Sequence, residues 1–460
     1  MMAFYYLLFA AILLGVLYQE YANRTSAGTG SKAVAHSSAF LSFRNNYLMV
    51  YCLMMAGDWL QGPYVYALYS HYGYGVGDIG HLFIAGFGSS MIFGTIVGSM
   101  ADKHGRKLAG LCYVVTYIAS CITKHWSNYS VLMLGRFFGG IATSLLFSAF
   151  ESWYVGEHTK RGFDEEWMSG TFAKAVFFGN GVVAIVSGML ANTLVDNFQM
   201  GPVAPFDAAA TFLTIGGAII FATWSENYGD SGEVLSVQLK TAMEAIKTDR
   251  KVALLGAIQS LFEAAMYTFV FLWTPALSPH GESIPHGFIF ATFMLASMGG
   301  SSLADRLMGS SGMPPVEVYM QTVFVIAGLT LAVPVLLKPF NTPPDPSAHT
   351  TLTGGAPMSF IGQLQMVSFC VFEACVGVFW PSLMRMRAKY VPEGVRATIM
   401  NLFRMPLNLF VCVVLYNVAA FPLEVMFAMC ALFLLATAAC QRQLAVLAGV
   451  RDSDAIKADV

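Results

Sequence analysis

The sequence predicts an all-α membrane protein: two six-helix bundles that repeat one another, preceded by one extra N-terminal transmembrane helix. Three observations predict it. The chain is 56% hydrophobic and only 11% charged, whereas a soluble chain carries about 25% charged residues. Thirteen apolar stretches are long enough to cross a bilayer core, which takes about twenty residues. Charged and aromatic signatures then recur at matching places in the two sets of six.

The stretches fall near 3–20, 45–70, 79–101, 108–123, 129–155, 167–195, 206–225, 251–275, 286–304, 316–337, 358–383, 395–418 and 422–447. The first is the extra helix, residues 1–22, followed by a linker over 23–43. The N-terminal bundle covers 44–226 and the C-terminal bundle 251–447. Between them lies a polar central loop, 227–250. Within it Leu235, Leu239, Ala242, Met243 and Ile246 recur at helical spacing, the mark of an amphipathic helix on the membrane surface. The Pro/Gly/Thr-rich stretch 339–357 reads as an exposed loop, and 448–460 as a tail.

Charge placement tests this layout. Of the 25 Lys and Arg residues, twenty fall on the side that holds the linker, central loop and tail. Only Lys124 and Lys338 fall opposite, and Arg136, Lys174 and Arg404 lie inside spans. That is a positive-inside pattern, which places the linker, central loop and tail in the cytosol. The net charge of −2 says nothing about partners. Residues 3–18 have the length of a signal peptide but lack a basic start. An uncleaved helix with its N-terminus outside is the expected reading, in a multi-pass protein of the cell membrane.

All eight cysteines lie inside apolar runs and read as small apolar residues. The histidines show no metal-ligand spacing, and there is no Walker loop, zinc spacing or nucleophile elbow. No catalytic residue, metal, cofactor or nucleic-acid partner is expected, so the chain is not read as an enzyme. Its expected partner is the lipid bilayer, and it is expected to be a monomer.

A short turn carries the clearest motif. Gly98-Ser-Met-Ala-Asp102-Lys-His-Gly105-Arg106-Lys107 ends an apolar run with small residues suited to close helix approach, then an acid and several bases. Gly300-Ser-Ser-Leu-Ala-Asp305-Arg306 echoes it in the second half. The first copy resembles the signature between the second and third helices of the major facilitator superfamily, whose transporters are built from two pseudo-symmetric six-helix bundles.

Among the ionisable residues within spans, seven stand out: Asp58, Arg136, Glu151, Lys174, Glu263, Glu373 and Arg404. Each costs roughly 2.5–3.5 kcal/mol at a helix centre, so each should face a cavity or a partner. Asp58 matches Glu263 when the halves are aligned. Phe147-Ser-Ala-Phe150-Glu151 matches Phe369-Cys-Val-Phe372-Glu373, and Thr171-Phe-Ala-Lys174 matches Asn401-Leu-Phe-Arg404. This is the footprint of a parallel repeat about an axis along the membrane normal. Lys174 and Arg404 lie roughly 12–14 Å in from the cytosolic face at helical rise, and Asp58 and Glu263 roughly 20 Å. The two bases form a candidate anion clamp, with Asn180, Asn401 and Asn408 as neutral donors nearby. The alternative is that they are structural partners of Asp58 and Glu263. Tyr64 and Tyr66, beside Pro63, are candidates for the cavity, as is Gln61. Asp58 and Glu263 are candidate proton carriers. Arg136, in Arg136-Phe-Phe-Gly139-Gly140, resembles a superfamily fourth-helix arginine tied to proton coupling. Asp102, Arg106, Asp305 and Arg385 are candidate gate residues. Glu151 and Glu373 join them as acids for gate arginines, with Arg106, Arg385, Arg387 or Arg396 as partners.

Several longer stretches are more specific. Asp58-Trp-Leu-Gln61-Gly-Pro63-Tyr64-Val-Tyr66, Leu146-Phe-Ser-Ala-Phe-Glu151-Ser-Trp153-Tyr154, Gly201-Pro-Val-Ala-Pro-Phe206, Trp224-Ser-Glu-Asn-Tyr228 and Phe269-Val-Phe-Leu-Trp273-Thr-Pro275 together resemble the eukaryotic molybdate-anion transporter family over roughly residues 40–440. The resemblance implies molybdate uptake by proton-coupled alternating access. Oxyanions are held by Arg, Lys and amide donors, which is consistent with the in-span bases. A different anion such as sulfate or an organic acid, or a non-transporting receptor on the same scaffold, are the alternatives the residues leave open.

Overall fold

The computed structural model describes residues 2–26, 37–94, 96–229, 235–279, 282–309, 313–340, 358–392 and 396–449. Residues 27–36 of the linker, and most of the Pro/Gly/Thr-rich loop and the tail, therefore lie outside the described residues, as do the side chains of Asn401 and Arg396. Every described element is helical, and eleven helices are long and apolar enough to cross a membrane.

The chain divides into two compact units. One contains residues 29–233 and 285–291. Its helices are α2 (Ser38–Trp59), α3 (Val65–His71), α4 (Val76–Gly94), α5 (Val97–His104), α6 (Arg106–Ile122), α7 (Tyr129–Leu146), α8 (Ala149–Lys160), α9 (Glu166–Ala175), α10 (Val183–Asn192) and α11 (Ala204–Thr223). Aromatic rings fill its core at the end that holds the Asp102 turn. Trp153 stacks on Trp224 at 3.6 Å, and Phe43 on Tyr154 at 5.1 Å. Backbone closeness sets the α4–α7 pair: a Cβ at Gly140 would collide with Ser89 Oγ and the Gly86 carbonyl. Small residues supply such contacts where lipid removes any hydrophobic drive between helices.

The second unit contains Met1–Gly28, Val234–Ile284 and Thr292–Val460. It comprises α1 (Met2–Ser26), α12 (Leu235–Thr248), α13 (Arg250–Leu277), most of α14 (His286–Gly309), α15 (Val316–Leu337), α16 (Phe360–Tyr390), α17 (Arg396–Tyr416) and α18 (Leu423–Leu447). Phe262 stacks on Phe379 at 3.9 Å in its core. A Cβ at Gly300 would meet the Ala374 carbonyl, so α14 and α16 approach as α4 and α7 do in the other unit. Gly98 differs from Gly300: a Cβ there would meet nothing within 4 Å, so Gly98 does not mediate the close contact expected of it. That contact sits at Gly86 and Gly140 instead.

The extra helix packs within the second unit. Asn23 Nδ2 donates to Ser302 Oγ at 3.0 Å and to the Ser302 carbonyl at 3.1 Å, while Val16 lies against Gly299. The amphipathic segment of the central loop is α12, which packs on α13 and α17 with Ala242 fully buried.

Candidate functional site

In the first unit Asp58 ends α2, where the helix gives way to the turn around Pro63. Tyr117 on α6 donates its hydroxyl to Asp58 Oδ1. A half-buried carboxyl benefits from such a donor, because an unpaired one is costly to desolvate. Trp59 Nε1 donates to the Gly179 carbonyl at 3.1 Å. Gly179 lies in a π-helical segment, Val176–Val182, and a Cβ there would press on Tyr51. Such segments are rare and concentrate at functional sites. This one begins two residues after Lys174 and carries Asn180. Both side chains are exposed, and Lys174 makes no hydrogen bond or ion pair among the described residues.

Other predicted residues of this unit are more enclosed. Gln61 is buried and donates Nε2 to the Gly57 carbonyl at 2.8 Å. Tyr64 is buried and donates to Asp196 Oδ2 at 3.1 Å, and Tyr66 is buried beside it in sequence. Arg136 donates Nε to the Leu82 carbonyl at 3.3 Å and stands 4.6 Å over the Phe83 ring. Glu151 is exposed on α8, with its field reaching Tyr47 and Tyr51.

In the second unit Glu263 is fully buried on α13. The Arg387 guanidinium lies 4.0 Å from its carboxylate, and Arg404 adds positive charge to the same acid. α17 brings Arg404 there, since Phe403 abuts Gly256 and its carbonyl accepts from Ser260 Oγ at 3.0 Å. The centre holds one acid against two arginines. That surplus suits an anion, because guanidinium groups grip oxyanions bidentately. Asn408 is half-buried one turn further along α17. Glu373 is buried on α16 without a hydrogen bond or ion pair among the described residues.

The turn after α5 is tied down locally. Arg106 Nε donates to Asp102 Oδ1 at 2.8 Å. The segment after α11 closes over the pair: Gly229 N donates to the Asp102 carbonyl, and Arg106 N to the Asn227 carbonyl, both at 3.0 Å. Glu226 caps α6, accepting from Lys107 N at 2.7 Å and Leu108 N at 3.1 Å. A carboxylate there satisfies orphan amides and meets the positive end of the helix dipole. In the echo turn Asp305 is exposed, and Arg385 donates to the Met308 carbonyl at 3.4 Å.

Sequence reasoning missed three of these residues. Glu226 was visible only as part of Trp224-Ser-Glu-Asn-Tyr228, with no sign of what it caps. Tyr117 lies inside an apolar run, and its hydroxyl acquires meaning only across two helices. Arg387 was read as a partner for a gate acid, and lies instead beside Glu263.

Comparison with known proteins adds a separate line of observation. A family described as sugar transporters with twelve membrane spans matches residues 4–369. A molybdate-anion transporter of Xenopus tropicalis is 34% identical over 408 residues, covering 88% of this chain and 85% of that protein. One of Danio rerio is 32% identical over 415 residues, covering 85% and 82%. Among solved structures, the nucleoside transporter NupG aligns with a TM-score of 0.67 at 14% identity, over 87% of this chain and 99% of that one. A peptide transporter POT in complex with sulfate aligns with a TM-score of 0.64 at 13% identity, over 88% and 94%. At those identities the structures speak for the fold.

Proposed function

Because the chain belongs to the molybdate-anion transporter family of the major facilitator superfamily, we propose that this multi-pass membrane transporter imports molybdate by proton-coupled alternating access. The observation that carries the reading is the 32–34% identity to molybdate-anion transporters over most of the chain. The cationic surplus of Arg387 and Arg404 around Glu263 supports it chemically.

Molybdate is a tetrahedral dianion. Bringing two negative charges into a cell costs about 4.6 kcal/mol at 100 mV, from roughly 2.3 kcal/mol per charge. Uptake against that field needs accompanying cations, and two protons per anion would make it electroneutral. Asp58 and Glu263 are the proposed carriers, one in each half. Lys174 and Arg404 are the proposed anion contacts, with Asn180, Asn401 and Asn408 as neutral donors. Binding of the anion would favour release of charge pairing at Glu263, which links substrate to proton. Asp102, Arg106, Asp305 and Arg385 are the proposed gate, at the ends of the two repeated turns.

Uptake of labelled molybdate into vesicles holding the protein tests the reading. Accumulation that rises with an inward proton gradient, and that tungstate suppresses more than sulfate, is expected. Equal uptake with and without the protein would end it.

A further inference from the structure

The end of the first unit opposite the Asp102–Arg106 turn holds a group that transport at Lys174 and Arg404 leaves unused. Lys124 lies in the short turn Thr123–His125 that follows α6. It is 1% exposed, a rare state for a lysine. Its Nζ has no hydrogen-bond partner among the described residues, nor does the fully buried Tyr69 hydroxyl. Nζ stands 5.6 Å from the centre of the Tyr69 ring.

Arg136 is the second cation here, and its charge reaches both Lys124 and Tyr69. Among the described residues its only hydrogen bond is from Nε to the Leu82 carbonyl, which leaves the outer guanidinium nitrogens without an acceptor. Glycines seat both heads. A Cβ at Gly135 would come within 3.1 Å of Lys124 Nζ, and one at Gly86 within 2.7 Å of the Arg136 guanidinium. Among the described residues no acid pairs with either cation. Asp207 is taken by His125 at 2.7 Å, and Asp196 accepts from Tyr64 at 3.1 Å.

A fully buried ammonium within reach of a second positive charge, on the half-buried Arg136, is strongly unfavourable unless something compensates it. Burial and the Arg136 charge pull the Lys124 ammonium down to about 7. Loss of the lysine proton relieves the repulsion but leaves Nζ and the tyrosine hydroxyl unpaired. An anion satisfies all three donors together, through charge-assisted hydrogen bonds. We propose that Lys124, Arg136 and Tyr69 form a second anion site, separate from the Lys174 and Arg404 positions, that takes a small inorganic anion.

An oxyanion and a halide need the same donors, so both serve as probes. The full-length protein in gluconate buffer at pH 7 is titrated by equilibrium dialysis with labelled chloride and, separately, labelled molybdate. Wild type is expected to bind one more anion per chain than Lys124→Met, and Arg404→Gln is expected to keep that anion. Chloride filling the site marks a halide, and molybdate filling it marks an oxyanion; either supports the proposal. Tyr69→Phe folds with minimal change of shape and is expected to weaken the same anion about tenfold. If Lys124→Met and Tyr69→Phe bind both probes as wild type does, the proposal is overturned and Lys124 is a neutral amine. Failure of the transport reading shows elsewhere, as equal molybdate uptake by vesicles with and without the protein.

Discussion

Arg387 stands 4.0 Å from Glu263, on a helix more than a hundred residues further along the chain, while Asp58, the matching acid of the other half, is met by the neutral hydroxyl of Tyr117. Equivalent positions in the repeat therefore carry unequal chemistry. One acid is held by a hydrogen bond and the other by positive charge. An acid with a neutral partner gives up or gains a proton without breaking an ion pair. An acid between arginines responds to whatever else the arginines bind.

Neutralising Glu263 should expose that difference. Glu263→Gln leaves Arg387 and Arg404 without their acid, so molybdate affinity is expected to rise severalfold while the stimulation of uptake by a proton gradient disappears. Asp58→Asn is expected to lose the stimulation without the gain in affinity. Binding titrations beside pH-jump uptake in vesicles separate the two, and matching behaviour of both variants would refute the asymmetry.

The proposed anion contacts predict a graded series. Lys174→Gln and Arg404→Gln should each weaken molybdate binding by tenfold or more, because a dianion between cations gains several kcal/mol from each before desolvation. Lys174→Arg should be tolerated, since charge and reach are kept and a fork is added. Wild-type affinity in both glutamine variants would remove the two bases from the anion site.

Asp102→Asn tests the turn. The amide oxygen can still accept from Arg106 Nε, so the fold should survive, but the charge of the pair is gone. Turnover is expected to fall several-fold with little loss of molybdate binding at equilibrium. An unchanged transport rate would remove Asp102 from the gate.

Gly105 offers a backbone test. Its φ is +120°, a region that side chains avoid, and an added Cβ would stand 2.5 Å from the Glu226 carboxyl carbon. Gly105→Ala is expected to destabilise by about 1–3 kcal/mol, and Glu226→Gln by about 1 kcal/mol through the weakened cap. Thermal unfolding of the purified variants reads both. The reverse order of the two would mean that the cap, not the turn conformation, dominates.

Lys124 predicts a pH signature in anion-free buffer. The unfolded chain holds the lysine proton up to the ordinary value of 10.5, while the folded protein releases it near 7. Between those values the unfolded state binds more protons, so stability rises with pH across that window. The penalty is fully present below pH 7. Lys124→Met should raise the melting temperature most at low pH and flatten its rise toward pH 10. Parallel melting curves for the two proteins would contradict a buried, shifted lysine.

Eleven of the thirteen expected spans and the in-span charges were legible in the sequence, because a bilayer demands apolar runs of fixed length and makes each interruption conspicuous. The expected span 45–70 instead breaks after Trp59, and α6 has only 17 residues. The amphipathic stretch of Leu235, Leu239 and Ile246 likewise became α12. Partner choice was not legible. Tyr117 and Asp58 are 59 residues apart, and which helix faces meet depends on small-residue contacts such as Gly86 with Gly140. Gly98 showed the limit of that signal, being small yet with nothing within 4 Å of where a Cβ would stand. The π-helical turn had only a faint trace, the Gly179-Asn180-Gly181 run inside a span. Lys124 had none beyond lying on the side almost empty of basic residues.

The docking of α1 reaches into how the protein is made. Asn23 and its partner Ser302 are separated by 279 residues, so α1 must wait for a partner synthesised far later. At roughly 5–20 residues per second, that interval is about a quarter-minute to a minute. Throughout it the Asn23 amide and the groove-facing side of α1 have no mate, and the whole of the intervening bundle is inserted meanwhile. A gene cut in the central loop would give a C-terminal fragment lacking α1, the helix that packs within its own unit, and α1 supplied in trans should restore its assembly.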